Sequence, residues 1–153
     1  MLIGVRMNGR KEVIAIEDCY RESTESWASL LRDLRRRGMP APILAVRDGA
    51  PGFWAALRQV YPKAQDQRYW VHRIANVLDK LPATCGGLGL QPQAKEMLHE
   101  IMDAPDRKSA LEGRGQFADE FEAKYPKATD CLVKDAEVLL TFFDFPAEHW
   151  RHL

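Results

Sequence analysis

The stretch that decides the fold reads LAVRDGAPGFW and covers residues 44–54. Its apolar start, Leu44 to Val46, is followed at once by an arginine, an acid and a glycine, and then by an apolar segment with helical spacing. A short apolar run that ends at turn residues is typical of a strand covered on both faces. Asp48 therefore stands at the end of a predicted central strand, as a turn residue, a helix cap or a metal-binding carboxylate.

The residues before this stretch predict a hairpin and a helix. Asn8-Gly9 tolerates the positive φ angles of a tight turn, so Leu2–Arg6 is expected to pair with Glu12–Ile16. A Ser or Thr cap and apolar residues at spacings of three and four then predict a helix that ends at Gly38.

Three more elements complete an α/β region. The strand at the opening stretch is expected over Ile43–Val46, and a helix runs from Gly52 to a point before Pro62. The segment Gln67–His72 has the aromatic and β-branched bias of a further strand. The predicted order is β-β-α-β-α-β.

Beyond this region nearly every segment has helical periodicity. The predicted helices, which prolines separate, are Ile74–Leu81, Gln93–Met102, Ala110–Tyr125 and Thr129–Phe143. The glycine-rich segment 83–90 is expected to be a loop. We therefore divide the chain into an α/β part, residues 1–77, and an all-helical part, residues 78–153.

The charge balance limits how the chain contacts nucleic acid. Its 153 residues include 22 basic and 22 acidic side chains, so it lacks the overall positive field of a self-sufficient nucleic-acid binder. Any contact with DNA must therefore be local.

Two further classes are disfavoured. No apolar run approaches the roughly 20 residues that cross a bilayer, and the start lacks the features of a signal peptide, so a cytoplasmic protein is expected. Cys19, Cys85 and Cys131 are far apart and form no CxxC pair, which indicates neither a disulfide framework nor a zinc knuckle.

Four segments resemble a known family. They are NGRKEVIAIEDCYRESTESWASLLRDLRRRG at 8–38, DGAPGFWAALRQVYP at 48–62, QRYWVHRIANVLDKLP at 67–82 and YPKATDCLVKDAEVLLTFFDFPAEHWRHL at 125–153. In this order they resemble the central part of Mutator-type bacterial insertion-sequence transposases. The resemblance implies DNA transposition by cleavage and strand transfer on terminal-repeat DNA, and a partial RNase H-like core with a mixed sheet, followed by a helical insertion domain.

The resemblance also implies a two-metal site, with Mg²⁺ or Mn²⁺ held by three acids. Asp48 matches the second acid. This match outweighs the interpretation of Asp48 as a simple turn residue, which the local sequence pattern alone favours. The first acid is expected before Met1 and the third after Leu153, so the chain is expected to be a truncated or split transposase that is inactive alone. The second hypothesis is a non-catalytic interaction module, which associates with full-length transposase or is a retained helical binding domain. Homo-oligomers of the chain are a further expected partner.

The resemblance extends to a Cys-x-x-His element. His72 keeps the histidine, whereas Tyr69 stands where the family has cysteine. By its pattern alone, His72 is a strand-end histidine satisfied by local hydrogen bonds rather than a zinc ligand. Arg68 and Arg73 flank the aromatic pair Tyr69-Trp70, and we predict that they contact DNA phosphates.

Overall fold

The computed structural model describes residues 1–16, 23–47, 51–82, 89–134 and 136–150, without the side chains of residues 148 and 149. Asp48 and most of the glycine-rich segment therefore lie outside the described residues. Within the described ranges, no helix is long and apolar enough to cross a membrane.

The chain has mixed α/β structure, and all strands among the described residues lie in its first half. The elements are β1 Leu2–Val5, β2 Lys11–Ala15, α1 Thr24–Arg36, β3 Leu44–Arg47, α2 Pro51–Val60, β4 Gln65–Arg68, α3 Trp70–Leu78, α4 Leu90–Met102, α5 Arg107–Phe121, α6 Pro126–Val133, α7 Ala136–Leu139, a 3-10 helix Thr141–Asp144 and α8 Ala147–Trp150. The first six follow the predicted order β-β-α-β-α-β.

The predicted hairpin is confirmed. Strands β1 and β2 pair antiparallel, with Ile3 opposite Val13. Gly9 has a φ of 80°, and the amide of Arg10 donates to Asn8 Oδ1 at 3.1 Å. The turn therefore uses both residues of the Asn-Gly pair, one for its backbone freedom and one for its side-chain acceptor.

Helix α1 is also confirmed, with its cap and its stop. Ser23 is the N-cap and accepts from the amide of Ser26, whose own hydroxyl oxygen accepts from the Ser23 amide. These two bonds satisfy amides that a helix start leaves without partners. Gly38, with a φ of 95°, lies just beyond the end of the helix.

The core of the first half lies between α1 and α2, which run side by side in the same direction. Near the helix starts, the rings of Trp27 and Phe53 meet edge to face, with centroids 5.3 Å apart. Near the ends, Arg35 Nη1 donates to the carbonyl of Val60 at 3.3 Å. The buried members of this core are Trp27, Ala28, Leu31, Phe53, Trp54, Ala56, Leu57, Val60 and Tyr61.

The strands form two pairs. Among the described residues, β1 pairs with β2 and β3 pairs with β4 in separate two-stranded sheets. Every residue of β3 is half-buried rather than fully covered, although Ala45 packs against the core. The α/β class is confirmed at this level, and the RNase H-like core stays a prediction.

The strand predicted over Gln67–His72 is wrong from Tyr69 onward. Strand β4 ends at Arg68, and α3 begins at Trp70. Trp70, Ile74 and Val77 lie at helical spacing and are buried together. Burying this helical face outweighs the β-propensity of the aromatic and valine residues, because β-propensity largely reflects the packing a site offers.

The last predicted helix, Thr129–Phe143, is also wrong, because the chain forms α6, α7 and a 3-10 helix there. Near the end of α7, Thr141 Oγ1 donates to the carbonyl of Glu137 at 3.2 Å. A side-chain hydroxyl that bonds to such a carbonyl competes with a continuous helical ladder.

Backbone contacts group the chain into two compact units. The first comprises Met1–Gln67 with Phe145–Leu153, and the second comprises Arg68–Asp144. Helix α3, whose end the predicted boundary cuts, groups with the helical second unit. The assignment of residues 1–77 to a catalytic core and of 78–153 to an insertion domain stays a prediction.

Candidate functional site

Arg47 is the last residue of β3 and immediately precedes the candidate acid in the sequence. Its Cζ atom lies 4.3 Å from the ring centroid of Trp27 and 5.2 Å from that of Phe53. These rings belong to the first turns of α1 and α2. The cation–π contacts therefore tie the end of β3 to the starts of both helices.

The metal site itself is not formed by the described residues. Within residues 1–16, 23–47, 51–82, 89–134 and 136–150, no three His, Cys, Asp or Glu side chains are grouped so that they hold a metal ion. Asp48 lies outside these ranges. The described residues thus do not fit a divalent-metal centre by themselves, and no metal-dependent step follows from their geometry.

The second group of candidate residues lies where β4 leads into α3. Trp70 is buried, and its Nε1 donates to the carbonyl of Leu139 at 3.0 Å. Its neighbour Tyr69 is 42% exposed and meets the ring of His72 edge to face, with centroids 6.5 Å apart. The aromatic pair that the sequence presents as a unit is therefore divided between the protein interior and the surface.

The two candidate arginines differ in the same way. Arg73 is buried, and its Nη1 donates to the carbonyl of Cys131 at 2.7 Å. This bond connects α3 to α6 and gives Arg73 a structural contact. Arg68 is half-buried at the end of β4. A DNA contact stays a prediction for both residues, and Arg68 is the less buried of the two.

His72 is exposed on α3 and remains a candidate by resemblance only. The structure places the aromatic ring of Tyr69 beside it, at the position where the resemblance implies a cysteine. Tyrosine does not supply the soft thiolate ligand that a cysteine offers to a metal. The pair is thus better suited to aromatic contacts than to metal binding.

The resolved pKa shifts lie at helix ends and in the core of the first unit. A hydrogen bond from Arg36 lowers the pKa of Asp33, and the backbone amide of Ser109 lowers that of Asp106. Burial raises the pKa of the Tyr61 phenol. These groups bear on how stability varies with pH.

Arg47 is the residue that sequence reasoning missed. Its partners, Trp27 and Phe53, lie far from each other in the sequence, and each is explained as a core residue by helical spacing alone. The available signal was that both aromatic residues fall in the first turns of helices that flank one strand.

Comparison with known proteins gives a consistent result. The whole chain, residues 1–153, matches the family described as "Transposase, Mutator family". It is 50% identical over 153 residues to the transposase for insertion sequence element IS6120 of Mycolicibacterium smegmatis, covering 100% of this chain and 46% of that protein. It is 48% identical over 154 residues to the transposase for IST2 of Acidithiobacillus ferrooxidans, covering 100% of this chain and 50% of the relative. The chain thus spans about half the length of these relatives.

Proposed function

Because the chain belongs to the Mutator family of transposases, we propose that it serves DNA transposition as part of the region that cleaves and joins DNA. The observation that carries this proposal is the family match over all 153 residues. The structure supports it with a half-buried strand, β3, that ends at Arg47, one residue before Asp48. A carboxylate at a strand end is fixed by the strand and faces the surrounding solvent and substrate.

In this proposal Asp48 is one carboxylate of a site for Mg²⁺ or Mn²⁺. Two such ions activate the attacking oxygen and stabilise the leaving oxygen in phosphodiester chemistry, and hard cations of this kind prefer oxygen ligands. The resemblance implies three such acids, and Asp48 matches one of them. We therefore propose that the chain does not cleave DNA when it is the only protein present.

The first experiment measures cleavage and strand transfer on terminal-repeat DNA with Mg²⁺ or Mn²⁺. The isolated chain is expected to yield no product. A full-length transposase of the family, with asparagine at the position aligned with Asp48, is expected to lose at least about 100-fold of its activity, because a metal site lacking one ligand holds its ions poorly.

The matched control places asparagine at the position aligned with Asp119, an exposed acid on α5. This change is expected to leave activity unchanged. Product from the isolated chain that disappears with Asp48→Asn would show that the chain is active alone. Full activity of the substituted full-length enzyme would remove Asp48 from the site.

A second function, association with a full-length transposase, is favoured by the β1–β2 hairpin. Its outer face exposes Ile3, Val5 and Val13, which are 50%, 44% and 59% exposed. A lone two-stranded hairpin is marginally stable, and unpaired strand edges are templates for further strands. Such a face gains stability when another segment of the same kind of protein covers it.

Association is tested by size-exclusion chromatography of the chain mixed with a full-length family transposase. Co-migration is expected for the wild-type chain, and Val13→Lys is expected to abolish it by placing a charge in the apolar face. Lys95→Met, which alters an exposed site on α4, serves as the control. Separate elution of the two wild-type proteins would exclude this function.

A further inference from the structure

Tyr69 and Trp70 are adjacent in the sequence, but they differ in burial. Trp70 is 7% exposed and its indole donates to Leu139, whereas Tyr69 is 42% exposed at the start of α3. Large aromatic rings that remain accessible beside basic side chains are the surfaces on which unpaired nucleic-acid bases stack. The exposed part of the Tyr69 ring is thus accessible to a ligand.

The start of α3 is held in place by two bonds that leave Tyr69 at the surface. Trp70 Nε1 is bonded to the carbonyl of Leu139 at 3.0 Å, and Arg73 Nη1 to that of Cys131 at 2.7 Å. The imidazole of His72 meets the Tyr69 ring at an interplanar angle of 78°. A ring on a fixed helix start costs little conformational entropy when a ligand binds.

The local charge suits a nucleic acid. The segment Arg68–Arg73, RYWVHR, contains two arginines and a histidine and has no acidic residue. Arg73 is directed into the protein, so Arg68 is the arginine whose position at the end of β4 suits a phosphate contact. A chain with no net charge needs this kind of local basic site to contact DNA.

From these observations we propose that Arg68, Tyr69 and His72 form a binding site for single-stranded DNA, in which an unpaired base stacks on the Tyr69 ring. The proposal rests on the proposed function, which makes DNA the substrate. Duplex DNA keeps its base faces stacked, so the ring distinguishes opened DNA from intact duplex.

The test measures fluorescence anisotropy of labelled oligothymidine, and of a duplex of equal length, against the 153-residue chain. Tyr69→Ala is expected to weaken single-strand binding about 5- to 150-fold, the range that loss of one stacked base gives. Tyr69→Phe, which keeps the ring, should remain within about twofold. Tyr69→Leu, which keeps only apolar bulk, should behave like the alanine variant.

Arg68 and an unrelated exposed position complete the set of variants. Arg68→Gln is expected to reduce the slope of log affinity against log salt by about 0.7, since one phosphate contact to a single strand is lost. Val133→Ala, at a residue of α6 that is 44% exposed, should bind like the wild type. Circular dichroism of each variant checks that the helices are intact.

Each outcome has a defined meaning. This inference is overturned if Tyr69→Ala leaves single-strand binding unchanged. It is also overturned if the wild-type chain binds no DNA or binds duplex more tightly than single strands. None of these results touches the proposed function, which is tested by the dependence of the full-length enzyme on the position aligned with Asp48. Loss of binding in Tyr69→Leu but not in Tyr69→Phe supports base stacking directly.

Discussion

Arg47 connects a strand end to two helix starts through its guanidinium group, which lies over Trp27 and close to Phe53. A half-buried cation over aromatic rings contributes about 1 kcal/mol to stability. This contribution acts on the segment that leads into Asp48. Arg47 therefore has an effect beyond its place in β3. This effect depends on contacts with α1 and α2, which precede and follow β3 in the sequence, so the residues next to Arg47 do not reveal it.

Replacement of Arg47 tests this contact. Arg47→Met, which keeps the chain length but removes the charge, is expected to lower the free energy of unfolding by about 1 kcal/mol, and Arg47→Lys by less, since an ammonium still interacts with the rings. Urea unfolding followed by circular dichroism measures both changes. Lys95→Met removes a cation from an exposed helix position and should change stability little. An equal effect of the methionine change at both positions would show that Arg47 has no special contact.

At the scale of elements, local signals predicted the hairpin and α1. Asn8-Gly9 fixes a turn by its own backbone preferences, and the serine cap, the apolar stripe and Gly38 bound a helix within its own sequence. Such features need no distant partner, which is why the sequence alone predicted them.

The errors occurred where distant partners decide the structure. Trp70 has strand propensity, but its packing with Ile74 and Val77 and its bond to Leu139 place it in a helix. The same contacts turn Tyr69 outward, so the sequence indicated an aromatic candidate site without showing which ring is accessible. The end of α7 likewise involves a bond made by Thr141, which periodicity does not record.

For the whole chain, the absence of net charge means that any proposed DNA contact is local, and the structure separates the candidate residues by their burial. Arg73 is occupied inside the second unit, while Tyr69 and His72 face outward in the same unit. The surface proposed to bind DNA is therefore a property of one helix start and not of the average composition. Its salt dependence should accordingly be shallow, because few phosphates are contacted.

Stability of the whole chain should also fall at both ends of the pH scale. The carboxyls of Asp33 and Asp106 have lowered pKa values in the folded chain, first through the hydrogen bond from Arg36 and the amide of Ser109 respectively. A lowered folded pKa gives stability that is present above the unfolded value of about 4 and is lost as the pH falls through the folded value.

The pKa shift of the Tyr61 phenol has the opposite sign. Burial raises its pKa, and its hydroxyl donates to the carbonyl of Met39 at 3.2 Å. The contribution of Tyr61 to stability is present below its pKa in the unfolded chain, about 10, and is lost as the pH rises through its pKa in the folded chain. Urea unfolding between pH 2 and pH 11 should therefore show a plateau near neutrality and losses beyond both limits. Asp106→Asn should reduce the acid loss and Tyr61→Phe the alkaline loss, each leaving the other limb unchanged. If neither substitution alters the loss of stability at acid or alkaline pH, the pH dependence arises from other titratable groups.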